Sequence, residues 1–356
     1  MRTSRVRLLR ASMRRQGLDA FVVSSPFHVR YLAGFSGSNG LCVVRKSGAF
    51  FLTDGRYRQQ AAREVKSFRR VIESVDLYEA IAKHRLLKGC KVVGFQSHVV
   101  TYAQYRTLKK LIPAASFVPT NEIVEDIALV KDEEELGHLR EAIRISDRVF
   151  EEALSSVRPG TSELEVAAEI SYLHRRHGAE KDAFDPIVAS GERGAFPHAR
   201  ATAKKIRNGE LVTMDFGCTV GGYNSDITRT VGVGRVSAEA RRIYSIVLDA
   251  QRDSIDAAKG DMQARDLDAV ARQRIKRGGV GRYFIHSLGH GLGLQVHERP
   301  RVSYLSKEQL LPGSVITIEP GVYIPGFGGV RIEDDVLLTS KGCEVLSSAP
   351  KEFIST

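Results

Sequence analysis

The chain has 356 residues, of which 42% are hydrophobic and 27% are charged, and this is the composition of an ordinary globular protein. Its formal net charge of +11 would suit a polyanion, but the basic residues are dispersed along the chain, so we expect no nucleic-acid partner. No apolar run is long enough to span a bilayer and residues 1–5 lack the features of a signal peptide, so we expect a cytoplasmic protein without a membrane partner.

Helical and strand patterns alternate along residues 1–125, and this alternation predicts a small α/β domain. The segment contains no phosphate loop or dinucleotide fingerprint, so we assign it no chemistry. The patterns predict helices at 3–17, 56–65, 78–87 and 102–111, and strands at 20–23, 41–44, 49–53, 70–72 and 91–95.

Residues 126–356 predict an α+β domain in which helices cover one face of a sheet. A long helix begins near Lys131 and ends before Pro159, and a second helix follows at 162–177 with Thr161 or Ser162 as its N-cap. Beyond it, the patterns predict strands at 186–190, 211–216, 226–233, 314–319 and 329–338, and helices at 238–259 and 266–276.

Three histidines, His286, His290 and His297, lie within twelve residues of one another. Gly289 and Gly291 flank the middle one, so the backbone can approach closely whatever its imidazole contacts. A histidine set between glycines suggests a metal or substrate ligand rather than a core residue.

Four carboxylates stand at the ends of apolar strand patterns: Asp215, Asp226, Glu319 and Glu333. Each alone would be an ordinary exposed charge at a strand end. If the strands belong to one sheet, however, the four converge, and their repulsion would force protonation unless cations lie among them. Together with His290 they are too many for one tetrahedral zinc site but enough to hold two divalent ions, for which Mn, Co, Fe or Zn are suitable.

Other catalytic motifs are absent from the sequence. His297-Glu298 does not open an HExxH motif, because Arg301 stands where the second histidine would fall. The glycines at 289, 291 and 293 do not form a dinucleotide loop, and the chain has no serine nucleophile elbow.

The motifs around these residues resemble the successive signatures of the pita-bread metallopeptidases that cleave Xaa-Pro bonds, namely Xaa-Pro dipeptidase (prolidase) and aminopeptidase P. The resemblance implies a C-terminal pita-bread (creatinase/aminopeptidase-like) domain, preceded by a smaller creatinase-type α/β domain, and a homodimer. The segments that carry it occur in the family's order at 214–217, 226–230, 286–293, 296–298, 317–321 and 331–334.

The resemblance also implies two divalent metal ions per subunit, with Mn or Co favoured and Zn or Fe as alternatives. A water-derived nucleophile activated by the ions would attack the Xaa-Pro carbonyl, Glu319 would accept and relay the proton, and His198 and His297 would stabilise the tetrahedral intermediate. Asp226 and Glu333 are expected to contact both ions. The implied metal ligands are Asp215, Asp226, His290, Glu319 and Glu333.

Three further residues have alternative interpretations. His286 either packs beside the site or lines the substrate pocket. Arg331 is two residues from Glu333 and would lie on the same side of a strand, which favours orientation of the carboxylates over surface exposure. Arg301 is either a plain surface arginine or, as in some prolidases, a contact for the carboxylate of a dipeptide.

The sequence favours an Xaa-Pro dipeptidase slightly over an aminopeptidase P, because the spacer between Glu319 and Glu333 is short and Arg301 is available. Methionine aminopeptidases share the fold but usually lack such an N-terminal domain. The rival from another class is a non-catalytic peptide- or protein-binding member of the fold. Relatives of that kind have lost metal ligands, whereas all five ligand positions are occupied here.

Overall fold

The computed structural model describes the backbone of residues 2–356 and the side chains of residues 4–356. Met1 and the side chains of Arg2 and Thr3, which belong to the N-terminal segment interpreted above, lie outside the described residues. The chain divides into two compact units, Met1–Ala128 and Leu129–Thr356. The domain limits 1–125 and 126–356 remain a prediction from the sequence. None of the described helices is both long enough and apolar enough to cross a membrane.

The first unit is built on one mixed six-stranded sheet. Its strands are β1 (Ala20–Val23), β2 (Leu41–Arg45), β3 (Ala49–Thr53), β4 (Arg69–Ile72), β5 (Val92–Gln96) and β6 (Ser116–Thr120). Its helices are α1 (Arg2–Arg15), α2 (Pro26–Ala33), α3 (Arg58–Glu64), α4 (Leu77–Lys83), α5 (Tyr102–Leu111) and α6 (Ile123–Ala128). The strand order is β4-β3-β2-β1-β5-β6, in which β2 runs antiparallel to both of its neighbours. Apolar side chains of the central strands pack against α4 to form the core.

Three elements of this unit were not predicted: α2, β6 and α6. In α2 the proline that was interpreted as the end of a strand is Pro26, the first residue of the helix. Proline suits that position, because the first turn of a helix needs no backbone N–H from it. The predicted helix at 78–87 was too long, since α4 ends at Lys83.

The second unit contains long helices and short, mostly antiparallel strands. Its helices are α7 (Glu133–Ala153), α8 (Glu163–Arg176), α9 (Ala238–Ala257) and α10 (Ala264–Arg277). Its strands are β7 (Lys181–Asp182), β8 (Ile187–Ser190), β9 (Leu211–Phe216), β10 (Cys218–Val220), β11 (Tyr223–Asn224), β12 (Ile227–Gly232), β13 (Gly289–Gly291), β14 (Glu298–Val302), β15 (Val315–Ile318), β16 (Gly321–Ile324), β17 (Gly328–Arg331), β18 (Asp334–Leu338) and β19 (Cys343–Val345).

Two clusters of buried apolar side chains hold the helices of this unit against its sheets. In one, the buried faces of α7 and α8 pack against β9 and β12, and in the other, α9 and α10 pack against β15, β17 and β18. The strand orders are β12-β9-β8, β14-β13-β15-β18-β19 and β11-β10-β7, and β16 and β17 form a separate hairpin. The start of α8 is capped by Ser162, one of the two expected residues, in a reciprocal capping box with Glu165.

The four carboxylates do not lie on one sheet, which was the condition considered for their convergence. Asp215 lies inside β9, Asp226 precedes β12 and Glu319 follows β15, and these strands belong to two different sheets. The strand predicted at 329–338 is two strands, because β17 pairs with β16 whereas β18 pairs with β15. The chain changes partner between them, and Glu333 lies in that break.

Candidate active site

Three of the predicted metal ligands form a close group in the second unit. One ligand atom each of Asp226, His290 and Glu333 lies within 4.8 Å of the other two. Nε2 of His290 also lies 3.4 Å from Oε1 of Glu319. Asp215 lines the same cavity as these four residues. The structure therefore brings all five predicted ligands to one cavity, although they come from different sheets.

The imidazole of His290 presents Nε2 to the carboxylates. Its Nδ1 lies 3.1 Å from the carbonyl oxygen of Gly291, which can only accept a hydrogen bond, so Nδ1 carries the proton. Burial and, next to it, the neighbouring His297 lower the pKa of His290 to about 4. The ring is therefore neutral at pH 7, and Nε2 has a free lone pair that faces Asp226 at 3.7 Å and Glu319.

The buried carboxylates resist ionisation in one another's presence. Burial raises the pKa of Asp226 well above its usual range, and the charges of Glu333 and Asp215 raise it further. Burial likewise raises the pKa of Glu319, with Glu333 as the next cause. For Glu333, burial and Asp215 raise the pKa to about 8. A cation between these groups would allow them to ionise together.

Arg331 connects two of the predicted ligands. Its buried guanidinium donates through Nη2 to Oδ2 of Asp215, and through Nε to the hydroxyl of Thr228 at 3.0 Å. The Thr228 hydroxyl in turn donates to Oε2 of Glu333 at 2.6 Å. The expected strand alternation between Arg331 and Glu333 was wrong, because β17 ends at Arg331. Arg331 instead contacts the carboxylate of Asp215 directly and is linked to that of Glu333 through the Thr228 hydroxyl.

His286 lies at the edge of this network. Its Nδ1 is 2.7 Å from the carbonyl oxygen of Ser287, so Nδ1 donates there and Nε2 accepts from the hydroxyl of Tyr323 at 3.0 Å. The Tyr323 hydroxyl accepts from Nη1 of Arg331 at 2.6 Å. Burial lowers the pKa of His286 to about 3, with Arg331 as the next cause. His286 also lines the cavity, so it orients Tyr323 and contributes to the pocket wall.

The cavity above the carboxylates has a volume of about 1010 Å³. His198, His297 and Arg301 all line it. The ring of His297 meets the ring of His290 edge-on, with centroids 4.3 Å apart, and Nε of Arg301 donates to Oγ of Ser287 at 3.1 Å. The apolar part of its lining includes Leu164, Ala167, Ala168, Phe184, Pro186 and Ile187.

The sequence of the second unit matches a known enzyme family. The pattern of metallopeptidase family M24 covers residues 137–340, which is more than half of the chain. The chain belongs to metallopeptidase family M24. The pattern of the creatinase/prolidase N-terminal domain covers residues 5–130 of this M24 metallopeptidase.

Individual relatives match the whole chain. It is 38% identical over 347 residues to the Xaa-Pro dipeptidase of Pyrococcus furiosus, covering 96% of this chain and 97% of that protein. It is 41% identical to the solved structure of an Xaa-Pro dipeptidase from Bacillus anthracis, with a TM-score of 0.97 and all of both chains covered. The solved X-Pro aminopeptidase of Thermotoga maritima is 36% identical, with a TM-score of 0.91, 97% of this chain covered and all of that one.

These comparisons confirm three expectations from the sequence: the family, the metallopeptidase activity class and the fold class. The M24 metallopeptidase has an α+β pita-bread domain that follows a smaller creatinase-type N-terminal domain. The roles of the individual site residues remain predictions.

The donor set of the M24 metallopeptidase fits divalent metal ions. Four carboxylates and one neutral imidazole offer mainly oxygen ligands, which suit hard or borderline divalent ions better than thiophilic ones. Burial and, next to it, repulsion from neighbouring carboxylates raise the pKa of Asp226 and of Glu333. A divalent ion would neutralise that repulsion, so the residues present match the metal that the family name implies.

Sequence reasoning missed two residues of this network. Thr228 lies in a motif that was recognised, but it was given no role, and Tyr323 was not considered. A hydroxyl two residues after Asp226, on a strand beside the ligands, is a weak signal for the first. No sequence pattern indicates a role for Tyr323, because its contact with Arg331 depends on the pairing of β16 with β17.

Proposed function

We propose that this M24 metallopeptidase is an Xaa-Pro dipeptidase, which hydrolyses the bond between an amino acid and a carboxyl-terminal proline. The observation that carries the proposal is the convergence of five oxygen and nitrogen donors in one cavity, with two further histidines on its wall. Relatives named Xaa-Pro dipeptidase at about 40% identity over nearly the whole chain support the same substrate.

Two divalent ions would be held by the five donors, with Mn or Co favoured over Zn or Fe. Asp226 and Glu333 would contribute to both ions, and His290 would bind through Nε2. When bound, the ions would act as a Lewis acid for the peptide carbonyl and lower the pKa of an attacking water molecule. The ligand set is Asp215, Asp226, His290, Glu319 and Glu333.

Side chains of the protein would transfer the proton of the attacking water and stabilise the negative charge that develops on the carbonyl oxygen. The carboxylate of Glu319 would accept the proton of the attacking water and pass it to the leaving proline nitrogen. Desolvation lowers the pKa of His297, so this ring is neutral at pH 7 and has one N–H to donate. His297 and His198 would donate hydrogen bonds to the carbonyl oxygen as it becomes negative, which stabilises the tetrahedral intermediate.

Arg301 supports a dipeptide substrate. Arg301 lines the cavity, where its guanidinium would donate charged hydrogen bonds to the carboxylate of a bound proline. The second candidate function is aminopeptidase P, which removes the first residue from longer peptides. The cavity volume of about 1010 Å³ exceeds what a dipeptide fills, and the Thermotoga maritima relative is named an X-Pro aminopeptidase.

Substrate length distinguishes the two candidates. After loading with Mn or Co, kcat/KM would be measured for Leu-Pro and for Leu-Pro-Gly under identical conditions. A dipeptidase should cleave Leu-Pro at least about tenfold faster, because one lost charged hydrogen bond costs on the order of 1.5–3 kcal/mol. Faster cleavage of Leu-Pro-Gly would transfer the assignment to aminopeptidase P.

A further inference from the structure

The carboxylate of Glu163 is completely buried near the start of α8, with an exposure of 0%. Its Oε1 accepts hydrogen bonds from the backbone N–H and the hydroxyl of Ser190, both at 2.9 Å. Its Oε2 accepts from the backbone N–H of Thr202 at 3.1 Å and from the Thr202 hydroxyl at 2.8 Å. Nε of Arg193 pairs with the same carboxylate at 3.0 Å. One carboxylate therefore joins both ends of segment 190–202.

Segment 190–202 carries His198. Its middle has separate contacts, since the carbonyl oxygen of Pro197 accepts from Nη1 of Arg331 at 3.2 Å. Gly194 packs so closely that an added Cβ would lie 2.9 Å from the backbone nitrogen of Gly329. His198 itself is exposed, so packing around its ring contributes little to its position. The direction of its imidazole therefore depends on how the backbone of the segment is fixed.

We propose that Glu163 is a positioning residue for peptide hydrolysis, and that it acts by fixing segment 190–202 so that His198 faces the substrate. The inference rests on the proposed function, because it uses the role assigned there to His198. Every hydrogen bond recorded for the Glu163 carboxylate goes to Ser190, Arg193 or Thr202, which lie on both sides of that histidine. A displacement of about 1 Å in such a group can reduce turnover about 100-fold.

The Glu163→Gln substitution removes the charge and part of the hydrogen bonding without changing the volume of the side chain. Glutamine has the same size, but its NH2 group replaces one acceptor oxygen and would point at the donors of Ser190 or Thr202. It also removes the charge that faces Arg193. Buried donors that lose their acceptor destabilise the local arrangement, so the segment would move while α8 keeps its packing.

A double-mutant cycle with His198→Ala tests whether Glu163 acts through His198. We expect Glu163→Gln alone to lower kcat/KM about 10-fold or more. In the His198→Ala background the same substitution should change kcat/KM less than about twofold, because the group it positions is already gone. Equal losses in both backgrounds, or no loss in the single variant, would overturn the proposal.

The matched control is Glu165→Gln, the same change two residues further along α8. The Glu165 side chain is 60% exposed and contacts Ser162 and Lys205, so we expect an unchanged kcat/KM. An equal loss in this control would also contradict the proposal, since it would show that any weakening of α8 reduces activity.

Hydrogen–deuterium exchange gives a readout that does not depend on activity. In Glu163→Gln the amides of segment 190–202 should exchange faster, while those of β9 and β12 should not change. Unchanged exchange in segment 190–202 would contradict the proposal even if activity fell. The kinetic cycle is run on whichever peptide the unmodified enzyme cleaves, so a lack of Xaa-Pro specificity would count against the proposed function alone.

Discussion

The hydroxyl of Thr228 donates a 2.6 Å hydrogen bond to Oε2 of Glu333 and accepts one of 3.0 Å from Nε of Arg331. The backbone N–H of Glu333 also donates to the carbonyl oxygen of Thr228 at 3.1 Å. Thr228 therefore fixes both the backbone and the carboxylate of Glu333 at the break between β17 and β18. Such contacts matter in a metal centre, because they orient the ligand before the ion binds.

Thr228→Val should weaken metal binding while preserving the fold. Valine has nearly the same shape, but it leaves Oε2 of Glu333 and Nε of Arg331 without their shared partner. We expect metal affinity to fall roughly 10- to 100-fold, as is typical when a residue that orients a ligand is lost. Isothermal titration of metal-free protein with Mn would measure it. Thr228→Ser keeps the hydroxyl and should bind Mn like the unmodified protein; equal weakening in both variants would refute the role of the hydroxyl.

Asp226→Ala should remove both metal ions and abolish activity, because this carboxylate is proposed to contact both. His290→Ala should remove one ion preferentially, because a single imidazole nitrogen binds one metal. Elemental analysis of the purified variants, expressed as ions per subunit, distinguishes the two cases. Full metal content in Asp226→Ala would show that the shared ligand is misassigned.

The metal-free protein should become less stable as the pH rises from about 6.5 to about 8. The window begins there because His286, His290 and His297, whose pKa values are lowered, are then neutral in both the folded and the unfolded state. Burial and Asp215 raise the pKa of Glu333 from 4.5 to about 8, so the folded state holds a proton that the unfolded state has lost in this range. Bound metal replaces that proton, so the difference in melting temperature between metal-loaded and metal-free protein should widen with pH. Thermal unfolding at pH 6.5, 7 and 8 checks this, and a constant difference would contradict it.

Arg301→Ala should impair dipeptide cleavage more than cleavage of a substrate without a terminal carboxylate. We expect KM for Leu-Pro to rise roughly 10- to 100-fold, which corresponds to the loss of a charged hydrogen bond. KM for Leu-Pro amide, the matched control substrate, should change little. Equal effects on the two substrates would return Arg301 to the role of a surface arginine.

The sequence predicted which residues form the candidate site, but not how the fold brings them together. The motifs around Asp215, Asp226, His290, Glu319 and Glu333 led to five side chains that line one cavity. Their convergence does not come from one shared sheet, because the strands beside them belong to different sheets. Strand patterns show that a segment is extended but not which strand it pairs with, so the change of partner at Glu333 was not visible.

The fold was likewise predicted from the sequence only in part. Most long helices and apolar strands were found, because their hydrophobic periodicity is strong. Helix α2 was missed because Pro26 was interpreted as a terminator, although proline also starts helices. The contacts of Glu163, Thr228 and Tyr323 connect residues far apart in sequence, and no local pattern encodes them.

The central claim is that this M24 metallopeptidase needs divalent metal to cleave the Xaa-Pro bond. The most direct test measures hydrolysis of Leu-Pro and Leu-Ala by one preparation, first stripped of metal and then given Mn in steps to a defined number of equivalents per subunit. We expect no cleavage of Leu-Pro without metal, recovery that is complete at two equivalents, and much slower cleavage of Leu-Ala throughout. Metal-loaded protein that leaves Leu-Pro intact while it hydrolyses Leu-Ala would contradict the account.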